Sequence, residues 1–400
     1  MKNAFKIIIL FITLFSLSGC FNYKEINEYA IVSGISIDIK EEDNSKYEVG
    51  IQIMNAKKEE EADNSLITIY KAEGNTIYEA FEKIMLDSPK ELYLGHNEVV
   101  VIGEKLLREK NPLNYLDYFL RDSQIEKDSL VMVSKGDKAY DVLKIITPLE
   151  TIPSRNLKST LSIADNFSGS LTLVTIDEFI SDLSLDGEEA IIPSIMIKGS
   201  VKEGEKMENI AESDPKAKLK FGTLGYFKNG KFKGYLTSDE STGYNFLAGE
   251  PNQTYVNVKC DKKNYATIRV TNAKIKEKLY FNDKIPMVNI NSKVSADLLE
   301  YNCDADFIKS EKYIKELEKK SAAKIKKLMV KAVGKLYKEE QSDVLKYGSK
   351  FYGKKYKEMK KLGYKKNDIA NNIKFSFKTS VNINSTSLSI KSIREGINHE

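Results

Sequence analysis

The first twenty residues constrain this chain more than any other feature, because they decide the compartment in which the rest must fold. Lys2 and Lys6 form a short basic end within a largely apolar run that extends to Leu17. The run is too short to cross a bilayer, which takes about 20 apolar residues, but it suits the central part of an export signal. We therefore expect residues 1–19 to be a signal peptide.

The end of this signal predicts a lipid anchor. Leu17-Ser18-Gly19-Cys20 has the lipobox pattern, in which cleavage before a cysteine leaves that cysteine acylated. The alternative is an ordinary signal peptide with a chance cysteine at the cut. Acyl chains contribute about 0.8 kcal/mol per buried methylene, so two of them anchor a protein firmly. We expect an exported lipoprotein with Cys20 as its lipidation site.

The length of the chain indicates more than one domain. About 380 residues remain after cleavage, more than one hydrophobic core usually holds. Residues 199–216 are rich in Glu, Lys and Gly and poor in large apolar residues, which is typical of a linker. We expect an N-terminal α+β domain over 20–198 and a C-terminal α+β region over 217–400. A further division near residue 280 stays open.

In the first half, segments of alternating hydrophobicity indicate strands, and apolar residues at helical spacing indicate helices between them. Asn75 or Thr76 could cap the first helix. The predicted strands are 29–39, 47–53, 66–72, 97–103, 130–134 and 191–198. The predicted helices are 77–85, 106–119 with a break near Pro112, 138–146 and 175–185.

The second half contains more short strands. Asn229-Gly230 predicts a type I′ turn between strands 218–227 and 231–236. Further strands are expected at 255–258, 265–271, 287–294 and 373–383, with a long amphipathic helix over 306–339 and a helical stretch over 342–362. The fold class is therefore α+β: a mixed N-terminal domain, then a region rich in antiparallel sheet with one long helix.

The modest net charge of +4 conceals an asymmetry. Residues 301–400 carry 24 Lys and Arg against 12 Asp and Glu. Such a region on a membrane-tethered protein could lie against anionic headgroups. The alternative is a lysine-rich helix with a solvated charged face. Nucleic acid is not an expected partner of an exported chain.

Cys260 and Cys303 are the two cysteines that remain after Cys20. Export permits a disulfide between them. Buried free thiols are the alternative, and we expect these because many exported bacterial proteins lack disulfides.

The sequence offers little for catalysis or for binding a metal or cofactor. His96 and His399 are the only histidines, and neither lies near a nucleophile elbow. His96 precedes a predicted strand, where a structural role in a turn is expected. No paired histidines, Cys-x-x-Cys motif or Gly-rich phosphate loop is found. We expect no enzymatic activity, no cofactor and no metal.

Several blocks, taken together and in order, resemble the Ger(x)C family, the C subunits of nutrient germinant receptors in spore-forming bacteria. The blocks are Leu17–Cys20, Glu25–Asn27, Ala30–Val32, Gly34–Asp38, Pro89–His96, Val99–Ile102, Tyr118–Asp122, Pro193 and Gln341–Gly348. The family often has tryptophan after the lipidated cysteine and again near the C-terminus. Here Phe21 stands in the first place and 356–364 contains no Trp, so roles of those aromatics do not transfer.

The resemblance implies a non-enzymatic subunit, tethered to the outer face of the spore inner membrane and needed for receptor assembly or signalling. Its partners would be membrane-embedded A and B subunits, with no small-molecule ligand assigned to it. Glu25, Ile26 and Asn27 are candidate docking residues because they lie close to the lipid. We expect Arg121 and Asp122 to form a structural ion pair. The alternative function is an independent, membrane-tethered ligand-binding lipoprotein.

Overall fold

The protein folds around two β-sheets with helices packed against them, as seen in a computed structural model. The structure describes residues 25–55, 66–249, 253–260, 263–303 and 311–385. Cys20, the predicted lipidation site, lies outside these residues. Within them, no helix combines the length and apolarity that a bilayer crossing requires.

Thirteen strands build the two sheets. They are β1 (Tyr29–Ile39), β2 (Tyr47–Met54), β3 (Ile67–Gly74), β4 (Glu91–Tyr93), β5 (Val99–Gly103), β6 (Leu130–Ser134), β7 (Ile191–Gly199), β8 (Ala217–Lys228), β9 (Lys231–Tyr235), β10 (Tyr255–Lys259), β11 (Tyr265–Asn282), β12 (Ile285–Tyr301) and β13 (Lys374–Ser385).

The helices lie mostly between the strands of the first sheet and around the second. They are α1 (Ile77–Asp87), α2 (Glu104–Glu109), α3 (Leu113–Arg121), α4 (Ala139–Val142), α5 (Pro153–Phe167), α6 (Ile176–Ser184), α7 (Val201–Gly204), α8 (Glu208–Ala211), α9 (Ser238–Ala248), α10 (Glu311–Val333), α11 (Tyr347–Leu362) and α12 (Lys366–Asn372). A 3₁₀ turn (Ile26–Glu28) precedes β1, and a π-helical segment (Gly334–Glu339) continues α10.

The first sheet has nine strands in the order β3-β2-β1-β5-β6-β7-β8-β9, with β4 beside β1. Its centre, from β1 through β5 and β6 to β7, is parallel, and the outer strands are antiparallel. β5 and β6 are buried along their whole length. This explains their unbroken Val and Ile runs, since both faces of a central parallel strand are covered.

The second sheet has four strands in the order β10-β11-β12-β13. β11 and β12 form a long antiparallel hairpin, and β13 joins β12 in parallel. α10 packs against one face, where Ile325 and Met329 are buried with Val288 and Ile290. The opposite face carries the exposed positions of all three long strands. The predicted α+β class, a mixed N-terminal part followed by a sheet-rich region with one long helix, is confirmed.

Two local predictions are confirmed by backbone geometry. Thr76 caps α1, because its hydroxyl accepts a hydrogen bond from the Glu79 N–H at 3.1 Å. Asn229 and Gly230 both have positive φ, 52° and 67°, as a type I′ turn requires. The β8–β9 hairpin therefore forms where the sequence places it.

The segment 199–216 lies between two strands that pair with each other in the first sheet, β7 and β8. It contains α7 and α8, and the buried Asn209 amide ties it down: Nδ2 donates to the carbonyls of Ile146 at 2.8 Å and Ala217 at 3.0 Å. The first sheet therefore continues past residue 216 to the end of β9. The division of the chain into domains stays a prediction.

The expectation of free thiols at Cys260 and Cys303 is wrong, because the two residues form a disulfide. Cys260 directly follows β10 and Cys303 lies two residues beyond β12. Both strands neighbour β11, so the sheet itself brings the cysteines together. Composition and spacing could not reveal this pairing across strands.

Candidate docking surfaces

The predicted docking residues Glu25, Ile26 and Asn27 form the turn through which the chain enters the first sheet. The Glu25 N–H donates to the Glu28 carboxylate at 3.2 Å, and Asn27 Nδ2 donates to Glu25 Oε2 at 2.9 Å. The polar side chains thus satisfy one another. Ile26 stays 77% exposed, so it is the apolar side chain that this turn presents to solvent.

β1 carries this turn to a second block of the sequence. Tyr29, Ala30 and Ile31 pair in parallel with Glu91, Leu92 and Tyr93 of β4. The rings of Tyr29 and Tyr93 lie 5.7 Å apart between centroids. The strand β4 was not predicted, although the alternation in Glu91–Leu94 was a signal for it. The N-terminal block and the Pro89–His96 block therefore lie side by side.

A third block reaches the same place through Gly95. A Cβ atom at Gly95 would lie 2.8 Å from the Tyr93 ring and 3.3 Å from the carbonyl oxygen of Gln124. Glycine therefore allows the loop after α3 to approach β4 closely. We call Glu25–Ile31, Glu91–His96 and Tyr118–Gln124 together the N-terminal surface.

The expected ion pair between Arg121 and Asp122 is not formed. Arg121 pairs instead with Asp117, one helical turn earlier on α3. Asp122 accepts hydrogen bonds from the Tyr118 hydroxyl at 2.7 Å and from the Gln124 N–H at 2.9 Å. The reason is geometric: residues four apart face each other on a helix, whereas adjacent ones diverge. Asp122 shapes the loop that contacts Gly95.

Each block of the N-terminal surface exposes one large apolar side chain. Ile26 is 77% exposed, Tyr93 43% and Leu120 41%. Single exposed apolar residues are ordinary on a protein surface, but their position at the entry of the chain places them near the predicted anchor. The N-terminal surface therefore presents three apolar side chains that are available for contact with another molecule.

His96 does not hold the turn in which it lies. Its imidazole is 48% exposed, and Nε2 is 3.9 Å from Glu98 Oε1. The neighbouring Asn97 stabilises the turn instead. Its Nδ2 donates to Ser129 Oγ at 3.0 Å, and Ser129 Oγ donates to the Asn97 carbonyl at 2.6 Å. The described residues contain no cluster of three or more metal-ligating side chains.

The Gln341–Gly348 block, which we call the junction segment, lies where the two sheets meet. Ser342 Oγ donates to the carbonyl of Phe227 in β8, and the Glu189 N–H donates to the Asp343 carbonyl at 3.3 Å. Toward the second sheet, the Tyr347 hydroxyl donates to Glu277 of β11 at 2.6 Å. One short segment thus bonds to both sheets.

A buried carboxylate gives the junction segment its shape. Asp343 accepts hydrogen bonds from the Tyr337 hydroxyl at 2.6 Å, the Tyr347 N–H at 2.8 Å and the Gly348 N–H at 2.6 Å. Burial raises the pKa of the Asp343 carboxyl, although these donors act in the opposite direction. Lys346 adopts a left-handed conformation with φ of 60° and pairs with Asp182 and Glu188.

Two family models match the chain one after the other. The spore germination protein N-terminal domain matches residues 22–197, and the spore germination B3/GerAC-like C-terminal domain matches residues 223–387. The chain belongs to the Ger(x)C family. The N-terminal surface lies in the first matched region and the junction segment in the second.

Relatives within the Ger(x)C family extend over most of this chain. Spore germination protein KC of Bacillus subtilis is 28% identical over 366 residues, 89% of this chain and 88% of that protein. Spore germination protein B3 of the same organism is 25% identical over 86% of this chain and 87% of its own length. Spore germination protein GerQC of Bacillus cereus is 25% identical, with 88% and 94% covered.

A solved structure shares the fold. The crystal structure of the GerBC protein covers 88% of this chain and 97% of its own, with a TM-score of 0.57 and 19% sequence identity. At that identity the likeness shows the fold alone. The Ger(x)C architecture is therefore the α+β arrangement of two sheets described above.

Proposed function

We propose that this protein is the lipid-anchored, non-enzymatic C subunit of a spore nutrient germinant receptor. Its membership of the Ger(x)C family, whose members are germinant receptor subunits in spore germination, supports the role. In this proposal Cys20 carries the lipid, and the body of the protein lies on the outer face of the spore inner membrane.

The observation that carries the proposal is the convergence of three sequence blocks at the entry of the chain. Glu25 is five positions after Cys20 along the chain, and an extended chain spans at most about 3.6 Å per residue. The turn that carries Ile26 then lies within about 18 Å of the lipid. A surface held so close to the bilayer is well placed to contact the membrane-embedded A and B subunits. The proposed role is to assemble the receptor or transmit its signal.

The lipid anchor is tested by germination. Spores of a strain lacking the gene are expected to lose the response to one class of nutrient, and the wild-type gene should restore it. The Cys20→Ala gene should not, because its product has no lipid. Normal germination after removal of all paralogues as well would contradict the proposal and favour the independent ligand-binding lipoprotein.

The N-terminal surface is tested separately. Replacing Glu25, Ile26 and Asn27 together with alanine should lower co-purification of the A and B subunits, and Ile26→Ala alone should reproduce most of the loss. Leu149→Ala is the matched control, since Leu149 is an equally apolar and fully exposed side chain. Unchanged protein levels and unchanged co-purification in the triple variant would refute docking through this turn.

A further inference from the structure

One face of the second sheet is strongly basic. Lys274, Lys276 and Lys278 alternate along β11, so their side chains point to the same side. Lys274 is paired with Lys293 of β12, while Lys374 and Lys378 of β13 are paired with Met287 and Asn291 of β12. Paired residues share a face, so all six lysines project from the side opposite α10. We call these six residues the lysine face.

The charge of the lysine face is uncompensated. All six side chains are exposed, and none forms an ion pair with another residue in the described part of the chain. Two acidic residues share this face, Asp297 and Glu300, and both lie toward the far end of β12, where Asp297 is paired with Arg269 at 3.0 Å. Lys274 and Lys293 even stand directly opposite each other, an arrangement that destabilises a sheet.

Protection of a sheet edge accounts for only part of this pattern. Lysines on an edge strand discourage pairing with another chain. Lys374 and Lys378 lie on the edge strand β13, and among the described residues β10 pairs with β11 only as far as Arg269, so the lysines of β11 also border a free edge. Lys293, however, lies between β11 and β13 and directly opposite Lys274, where no edge needs protection.

The face has a shape that fits small anionic groups. A shallow depression of about 420 Å³ lies on it. Its rim includes Lys276, Lys278 and Lys378, with Asn289, Asn291 and Ser376 between them. Lysine ammonium groups and amide or hydroxyl donors are the groups that bind phosphate oxygens.

We propose that the lysine face binds the anionic phosphate headgroups of the membrane to which the chain is tethered, a role that rests on the lipid anchor of the proposed function. Positive charges on flexible side chains, spread over three strands, suit a fluid surface of phosphates. Each lysine should raise partitioning onto an anionic membrane about fivefold. Asn289, Asn291 and Ser376, which lie between the lysines, are uncharged and polar. An acidic protein partner would instead be expected to use a buried aromatic or aliphatic anchor.

Energy transfer from the face to the bilayer tests this proposal in the full-length protein. Asn291→Cys places a thiol in the centre of the face for a donor dye, because Cys260 and Cys303 are joined in a disulfide. The labelled lipoprotein is purified from membranes and reconstituted into vesicles with a headgroup-labelled acceptor lipid. Transfer should be higher in equal mixtures of phosphatidylglycerol and phosphatidylcholine than in phosphatidylcholine alone. It should fall in about 1 M salt, where the Debye length is about 3 Å.

Charge reversal identifies the residues. A triple variant, Lys276→Glu, Lys278→Glu and Lys378→Glu, should have its preference for the bilayer-facing orientation lowered on the order of a hundredfold or more. The increase in energy transfer with phosphatidylglycerol should then disappear. The control variant replaces Lys312, Lys319 and Lys326, three exposed lysines of α10, with glutamate. It should keep the increase in energy transfer. A donor dye placed instead at Ser162→Cys on α5 tests whether the change in energy transfer is specific to the lysine face.

The outcomes separate the face from the anchor. Flotation of the protein with pure phosphatidylcholine vesicles depends on the lipid of Cys20. If the protein does not float with them, the lipid anchor is contradicted but the proposal for the lysine face is not. In that case, salt-sensitive flotation with the mixed vesicles, lost in the triple variant, still supports the face. Equal energy transfer from Asn291→Cys in both vesicle types overturns the proposal and leaves the face to an acidic protein partner.

Discussion

At the scale of single residues, Asp38 combines burial with charge. It ends the Gly34–Asp38 block, and its carboxylate accepts hydrogen bonds from the N–H groups of Ala139 and Tyr140, both at 3.0 Å. Glu48 is its direct partner on β2. Burial is the largest influence and raises the pKa of Asp38 to about 6, although the two N–H donors act against it.

This raised pKa predicts a pH dependence of stability. Between about pH 3.8 and 6 the folded state holds a proton on Asp38 that the unfolded state has released, so stability falls as pH rises. The loss amounts to about 3 kcal/mol at most, at about 1.4 kcal/mol per pH unit. Denaturant unfolding of the wild type and Asp38→Asn from pH 4 to 7 measures it. The free energy of the wild type minus that of the variant should decrease across this range; parallel profiles would contradict the assignment.

Two glycines of α11 should respond oppositely to alanine. A Cβ at Gly348 would lie 2.6 Å from the carbonyl oxygen of Lys366 and 3.0 Å from the Cα of Gly187, both backbone atoms. Gly348→Ala should therefore destabilise the protein by about 2–3 kcal/mol. Gly353→Ala has open space around it and should stabilise by up to about 1 kcal/mol through helix propensity. Thermal unfolding compares them, and equal midpoints would refute the close contact.

Sequence pattern reveals such residues only when their role is local. Thr76 and Asn229-Gly230 act on their own turns, and both were predicted. Gly348 packs against Gly187 and Lys366, and the Asp343 carbonyl accepts a hydrogen bond from the Glu189 N–H. These contacts lie far away in sequence, so the pattern shows the two residues only as part of a family-like block. The same limit applies to Arg121, whose nearest acidic neighbour in sequence is not its partner in space.

At the scale of elements, the alternating strands of the first sheet were predicted well, whereas several helices were missed, among them α5 and α9. α5 has few apolar residues and buries only Pro153, Ser154, Leu157 and Leu161. α9 contains Gly243, which normally argues against a helix. A Cβ at Gly243 would lie 2.1 Å from the carbonyl oxygen of Leu328, so glycine is needed for α9 to pack on α10. The tertiary contact thus outweighs the local propensity.

The length of β11 and β12 was also underestimated. Both strands were predicted as short segments, but they extend over 18 and 17 residues. Register shifts at Thr267/Ile268 and Val270/Asn272 interrupt the alternation of β11. Beyond them, the outward lysines make the strand resemble a charged loop. The charge on one face of the strand therefore concealed the element.

The disulfide should stabilise the second sheet. Cys260 and Cys303 are 43 residues apart, and closing a loop of this size restricts the unfolded chain by about 2–4 kcal/mol. A reductant should lower the midpoint of thermal unfolding of the wild type. The double variant Cys260→Ala/Cys303→Ala should unfold at the lower temperature with or without reductant. If the reductant leaves the midpoint of the wild type unchanged, the disulfide does not stabilise the fold.

At the scale of the whole molecule, the arrangement of the sheets depends on contacts that no local pattern encodes. Family resemblance and periodicity predicted two α+β regions. The continuation of the first sheet to β9 comes from the pairing of β7 with β8, on either side of a polar segment. The junction segment was predicted as part of a helix from residue 342, but α11 begins at Tyr347 because Ser342 and Asp343 before it bond to Phe227 and Glu189 instead of to helical neighbours.

The junction segment should make the two sheets unfold together. Asp343→Ala removes the acceptor of three hydrogen bonds and leaves the buried Tyr337 hydroxyl without its acceptor, at a cost on the order of 3–5 kcal/mol. The loop that presents Ser342 and Lys346 to the first sheet then loses its shape. Calorimetry should show one transition for the wild type and two for the variant, one for each sheet.

Ser349→Ala is the matched control for this variant. Ser349 lies in the first turn of α11, and its buried hydroxyl forms no hydrogen bond with the described residues. The control should therefore keep the single transition of the wild type at nearly the same temperature. If Asp343→Ala shifts one transition downward without splitting it, the sheets are coupled through the rest of their interface, and the junction segment only adds stability. If the transition splits, the junction segment is the part of the chain that makes the two sheets unfold as one unit.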